Sequence, residues 1–198
     1  MARQLGRQEF GNPAHKGRVP TREEVKELLD GWIKNERLRL HMHQVGGLLR
    51  AWAQKKGYDQ ATSWLWEAAG LLHDADWDQW PDDHCGKIIA YGEEKGWDPD
   101  LLHAIASHGP AHFGVDPVNE LDHLIYALDE LSGFVHAVSL VRPEAYQGMA
   151  VKSVKKKMKE KSFAAQVNRD EIVDGASRAG IPLEDLIQFV IEVQPGLS

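Results

Sequence analysis

Apolar residues recur at three- and four-residue spacing along most of the chain, the period of a helix with one buried face. Between Asn35 and Ala53 the stripe is Leu38, Val45, Leu48 and Trp52; after Pro99 it is Leu101, Ala104 and Ile105. Alternating strand patterns and internal repeats are absent. Local signals mark the helix starts. Thr21 and Glu24 form a capping box ahead of Val25, Leu28, Leu29 and Trp32, and Asp98 precedes a proline at a first helical position. The pattern predicts further helices over about 60–72, from His84 onward, and over about 119–140, 152–161, 168–179 and 183–193. The expectation is an all-α bundle of about nine helices. Residues 1–19 lack periodicity and read as a loose tail, with one domain over 20–198.

Helical phase sorts the ten histidines. His41 lies three residues after Leu38 and four before Val45, so it points inward with them. His108 continues the stripe of Leu101, Ala104 and Ile105, and His84 heads a stripe with Ile88 and Tyr91. His43 shares its face with Arg39 and Arg50, His103 with Pro99, Asp100 and Ser107, and His123 with Glu120 and Glu130. Those three are expected on the solvent side.

The inward histidines, with His73–Asp74 at the end of an apolar helix and Asp129 in the long helix, form the order H…HD…H…H…D. A single buried histidine is ordinary. Three of them, with two carboxylates and a further imidazole, are costly to bury without pairing or a cation. Imidazole and carboxylate suit Fe, Mn, Co or Zn. Six donors exceed what one tetrahedral ion needs, so two divalent transition-metal ions per chain are expected, at His41, His73, Asp74, His84, His108 and Asp129. Paired ions polarise a phosphoryl oxygen and lower the pKa of a shared water so that hydroxide attacks phosphorus in line. Asp76 and Asp78, beside the HD pair, are candidates for ligand orientation or leaving-group protonation together with Asp74.

The segment from Ala69 to Asp78, preceded by Asn35, Leu38 and His41 and followed by Tyr126 to Leu131, resembles the HD-domain superfamily of metal-dependent phosphohydrolases. The resemblance covers about residues 21–192. It implies that His41, His73, Asp74 and Asp129 hold a first metal, with Asp74 bridging to a second. His84 and His108 stand where the dinuclear members carry their additional histidines. Leu140 to Pro143 and Val151 to Ala164 resemble a bacterial subgroup of HD-type hydrolases. Two departures count against a cyclic-dinucleotide substrate: Trp77 stands where many dinuclear members place a lysine, and no Gly-Tyr-Pro signature occurs. The same ligand order is similar to the di-iron oxygenases typified by myo-inositol oxygenase. An oxygenase and a non-catalytic metal-binding module therefore stay open beside the phosphohydrolase.

Charge narrows the partners. A net charge of −7 over 198 residues argues against general nucleic-acid binding, which rests on neutralising phosphates. One cationic run, Lys152 to Lys161 with Arg142 upstream, is expected either to be solvated or to steer a small phosphate-bearing substrate; Arg142, Lys152 and Lys156 are the candidates for contact. Trp77 and Trp80 are expected to anchor the loop or to stack on a base or sugar. No apolar run approaches the roughly 20 residues of a membrane helix, and the first residues lack the apolar core of a secretory leader. A lone Cys85 permits no intrachain disulfide, reads as a small apolar filler, and suits a cytoplasmic location. A glycine-rich phosphate loop is absent.

Overall fold

The computed structural model describes residues 17–197. Among them are ten α-helices and no strand: α1 (Arg22–Trp32), α2 (Glu36–Lys55), α3 (Gln60–Leu72), α4 (Gly86–Glu94), α5 (Pro99–Ser107), α6 (Pro110–Phe113), α7 (Glu120–Leu140), α8 (Val151–Met158), α9 (Arg169–Arg178) and α10 (Leu183–Val193). The sequence foresees all but α6, a single turn between Pro110 and Gly114 too short to show a period. Most of the expected tail lies outside the described residues. Its last part is pinned: Arg18 donates its backbone N–H to Gly96 and accepts from Asp98, while its guanidinium pairs with Glu24 at 2.7 Å.

Short polar side chains start the helices where their donors would otherwise go unmet. Thr21 and Glu24 close the capping box of α1, Asn119 and Asp122 close that of α7, and Asn35, Asp59 and Asn168 cap α2, α3 and α9. The helices then bury the faces that their periods marked. Leu48, Leu49, Leu72, Ile105, Ile125 and Phe134 are wholly inaccessible and form the centre of one core.

Two elements position the site. Helices α2 and α3 pack backbone to backbone at Gly46 and Gly70; a Cβ on Gly70 would stand 2.5 Å from Gly46 N. That approach sets His41, on α2, beside His73 at the C-terminal end of α3. Helix α7, long and apolar, runs through the core and contacts α2, α3, α5 and α9. Helix α5 is covered on several sides, which corrects the expectation for His103. It is 4 % exposed, with Nδ1 2.7 Å from Asp122 Oδ2, because the face read as wet packs against α7. His43 is exposed, as its phase predicts, whereas His123 is half-buried, with Nδ1 withdrawn from solvent.

Candidate metal centre

Five segments bring the six expected ligands together. His41 comes from α2, His73 and Asp74 from the turn that ends α3, His84 from the turn before α4, His108 from the C-terminal end of α5, and Asp129 from the middle of α7. Their donor atoms fall into two triads, His41 with His73 and Asp129, and Asp74 with His84 and His108, each within 4.8 Å.

Asp74 stands between them. Its Oδ2 lies 3.4 Å from His73 Nε2 and 3.8 Å from His41 Nε2. Its Oδ1 lies 3.2 Å from His84 Nε2 and 3.7 Å from His108 Nε2. Asp129 Oδ1 completes the first side, 2.8 Å from His41 Nε2 and 3.5 Å from His73 Nε2. One carboxylate thus turns one oxygen to each triad.

The other ring nitrogen of each histidine is occupied, so Nε2 is the atom presented to the centre. His73 Nδ1 donates to Gly70 O at 2.8 Å and His108 Nδ1 to Ile105 O at 2.6 Å, the same bond to the carbonyl three residues back. His84 Nδ1 lies 2.6 Å from Asp76 Oδ1, and His41 Nδ1 has Ser132 Oγ at 3.5 Å. Such outer bonds fix tautomer and ring orientation at metal sites. His73 Nε2 is buried without a hydrogen-bond partner. Few buried polar atoms are left so. The donor set and this orphaned nitrogen both fit a divalent transition metal.

Electrostatics without a cation point the same way. Burial opposes a charge on His73, but Asp74 and Asp129 outweigh it and hold its pKa well above the ordinary value. Burial likewise opposes a charge on His84, and hydrogen bonds donated by its ring to Asp74 and Asp76 carry it up to about 9. Burial and the neighbouring His73 and His84 push His108 down to about 4. Asp74 and Asp129 stay well below the usual carboxylate range, their burial overcome by the imidazoles. Protons on imidazoles thus supply the positive charge that two carboxylates require.

The remaining candidates sort themselves by position. Asp76 is wholly buried; besides His84 it accepts from Lys87 N and Ile88 N at 3.0 Å each, tying the turn after α3 to the start of α4. It orients His84, a candidate ligand, and does not line the cavity over the centre. Asp78 accepts from Lys34 N at 2.6 Å and Asn35 N at 3.0 Å, joining its loop to the α1–α2 connection, away from the centre. Arg142 closes its own turn on Ala145 O and Gln147 O. Lys152 and Lys156 are exposed on α8, whose Val154 enters the core. Lys155 and Lys157 pair with Glu184 and Glu160. Cys85 is a buried filler, its Sγ 3.8 Å from Ile105 O.

A cavity of about 530 Å³ opens over the centre. His41, Asp74, His84, His108 and Asp129 line its floor, and Trp77, Asp82, Phe113, Glu130 and Glu171 stand among its walls. None of Arg142, Lys152, Lys156 or Asp78 lines it, and among the described residues neither does any other Lys or Arg. Trp77 is half exposed, its ring 4.8 Å from His84, whereas Trp80 packs on Trp32 at 4.8 Å as a loop anchor. Burial and the Asp129 charge push Glu130 up to about 7. Sequence reasoning missed Glu130, Phe113 and Glu171. Glu130 follows a ligand directly but falls on a face read as solvent, and Glu171 sits in the first turn of α9, where an acid is ordinary. Comparison with protein-family models, with curated proteins and with solved structures finds no match to this chain.

Proposed function

We propose that the chain is a dinuclear metal-dependent phosphohydrolase of the HD type, acting on a small phosphate monoester or diester. The observation that carries the reading is Asp74, one oxygen turned to each histidine triad. Two divalent ions held there by His41, His73 and Asp129 on one side, and by His84 and His108 on the other, would supply Lewis acidity at a phosphoryl oxygen and an acidified water. The protein's own part is to fix the Nε2 atoms through Gly70 O, Ile105 O and Asp76, to hold the ligand carboxylates partly withdrawn from water, and to open the centre to the cavity. Reconstitution with Mn, Fe, Co or Zn, elemental analysis, and a panel of phosphate esters test the reading. Metal-dependent phosphate release supports it, and inertness across the panel with both ions bound overturns it.

A second reading is an oxygenase on the same ligands. It is favoured by a donor set of imidazole and carboxylate throughout and by a cavity wall that, among the described residues, has no Lys or Arg. Metal-dependent oxygen uptake without phosphate release selects it.

A further inference from the structure

We propose that the cavity takes a zwitterionic substrate: an anionic head at the Asp74 centre, linked to an ammonium group held among Trp77, Phe113, Glu130 and Glu171. The inference rests on the dinuclear reading above and names the substrate class of that same site.

Charge is the first observation. Several partly shielded carboxylates elsewhere on the chain meet cations: Glu24 pairs with Arg18, Glu67 with Arg22 and Arg50, and Asp30 with Lys26 and Arg39. Among the described residues, none of the three wall acids Asp82, Glu130 and Glu171 forms an ion pair with a Lys or Arg. Glu171 has His112 Nε2 at 3.9 Å, and its own side chain is only 15 % exposed. A carboxylate withdrawn from water without a counter-charge is costly. A cation arriving with the ligand removes that cost.

The two acids are also built into place. Asn168 serves both, its backbone N–H donating to Glu130 Oε2 at 3.1 Å and its Nδ2 to Glu171 Oε1 at 2.8 Å. Each keeps its second oxygen outside those bonds. Aromatic faces complete the enclosure: Phe113 lies 5.1 Å from His84 and 4.9 Å from His108, and Trp77 stands half exposed beside His84. Aromatic rings with nearby carboxylates are the arrangement that binds quaternary ammonium groups.

The floor asks for the opposite sign. His73 Nε2 is fully buried, without a hydrogen-bond partner, and directed at Asp74 and Asp129. Two divalent ions against two carboxylate ligands leave the floor net positive, while the wall stays acidic. A purely anionic ester would meet wall carboxylates with no guanidinium or ammonium among the described residues of the lining to offset them. A zwitterion satisfies both ends.

Choline and 3,3-dimethylbutan-1-ol share a shape and differ in charge, so calorimetric titration of each into zinc-loaded protein isolates the wall. Choline is expected to bind at least about tenfold more tightly, the size of one desolvated charged contact. Glu171→Gln and Glu130→Gln, which keep an oxygen for Asn168, and Trp77→Leu should each erase most of that difference. Equal binding of the two probes, or a preference untouched by all three variants, overturns the proposal. The turnover arm compares phosphocholine with 3,3-dimethylbutyl phosphate, where phosphocholine is expected to have the higher kcat/KM by a similar factor. Equal turnover overturns the zwitterion. Charge-selective binding of choline with no hydrolysis of either ester supports the ammonium subsite and overturns the hydrolase reading instead.

Discussion

Asp76 Oδ1 lies 2.6 Å from His84 Nδ1, and the opposite ring nitrogen of the same histidine lies 3.2 Å from Asp74 Oδ1. Of the two roles expected for Asp76, ligand orientation and leaving-group protonation, the geometry fits the first. Because Asp76 Oδ2 also accepts from Lys87 N and Ile88 N, the ligand is tied to the start of α4 as well. Asp76→Asn keeps an oxygen for one of these roles and loses the charge. Affinity for the second ion should fall by about ten- to a hundredfold, with affinity for the first unchanged. Competition with a chromophoric chelator measures both.

The two triads predict how ligands fail. Wild-type protein should bind close to two ions per chain. His84→Ala and His108→Ala should each retain one, since His41, His73 and Asp129 are untouched. Asp74→Ala should weaken both sites, and His43→Ala neither, because His43 is exposed outside the centre. Elemental analysis after removal of loose metal reads these outcomes; two tightly held ions in the His108 variant would contradict the assignment.

Acidity should affect the metal-free and loaded proteins differently. The His84 pKa, near 9 in the fold, lies above its unfolded value of about 6.5. A raised pKa stabilises the fold fully below the unfolded value, and that stabilisation is lost as pH climbs through the folded one. Metal-free protein should therefore lose of the order of 3 kcal/mol between pH 6.5 and 9 from this group, at about 1.4 kcal/mol per pKa unit. Loaded protein should not, because its ligands are already deprotonated. Metal uptake at pH 7 should also release protons, visible as a dependence of calorimetric heat on the buffer's ionisation enthalpy.

Arg142, Lys152 and Lys156 should prove dispensable for turnover. Arg142 is spent on Ala145 O and Gln147 O, and the two lysines are exposed on α8, outside the cavity lining. Changing each to Gln should leave kcat/KM within about twofold, as for ordinary surface charges worth about 0–1 kcal/mol. A tenfold loss in any one would restore the steering role that the sequence suggested.

Gly70→Ala should destabilise the protein although alanine is the better helix former. The added methyl would stand 2.5 Å from Gly46 N and 2.6 Å from Gly46 Cα, backbone atoms that cannot rotate away. A cost of about 1–3 kcal/mol is expected for such overpacking, read as a lower urea midpoint with an unchanged slope. The site should suffer as well, since Gly70 O anchors His73 Nδ1.

What the chain determined by itself was whatever local chemistry fixes. Thr21, Asn35, Asp98, Asn119 and Asn168 start helices within three residues of themselves, and the period of α2 turns His41 toward the core with Val45 and Leu48. The six candidate ligands were legible for the same reason, as imidazoles and carboxylates on or beside apolar helix stripes. Tertiary structure decided the rest. His41 and Asp129, 88 residues apart, meet at 2.8 Å only because α2 and α7 pack together. Packing of α7 on α5 covers the face that carries His103 and puts Asp122 against it, and packing of α7 on α9 sets Glu130 and Glu171 around Asn168. Period reports which side of a helix faces inward when a single neighbour covers it. It is silent where a second helix covers the other side, and on how far a lysine-rich helix ends up from the cavity.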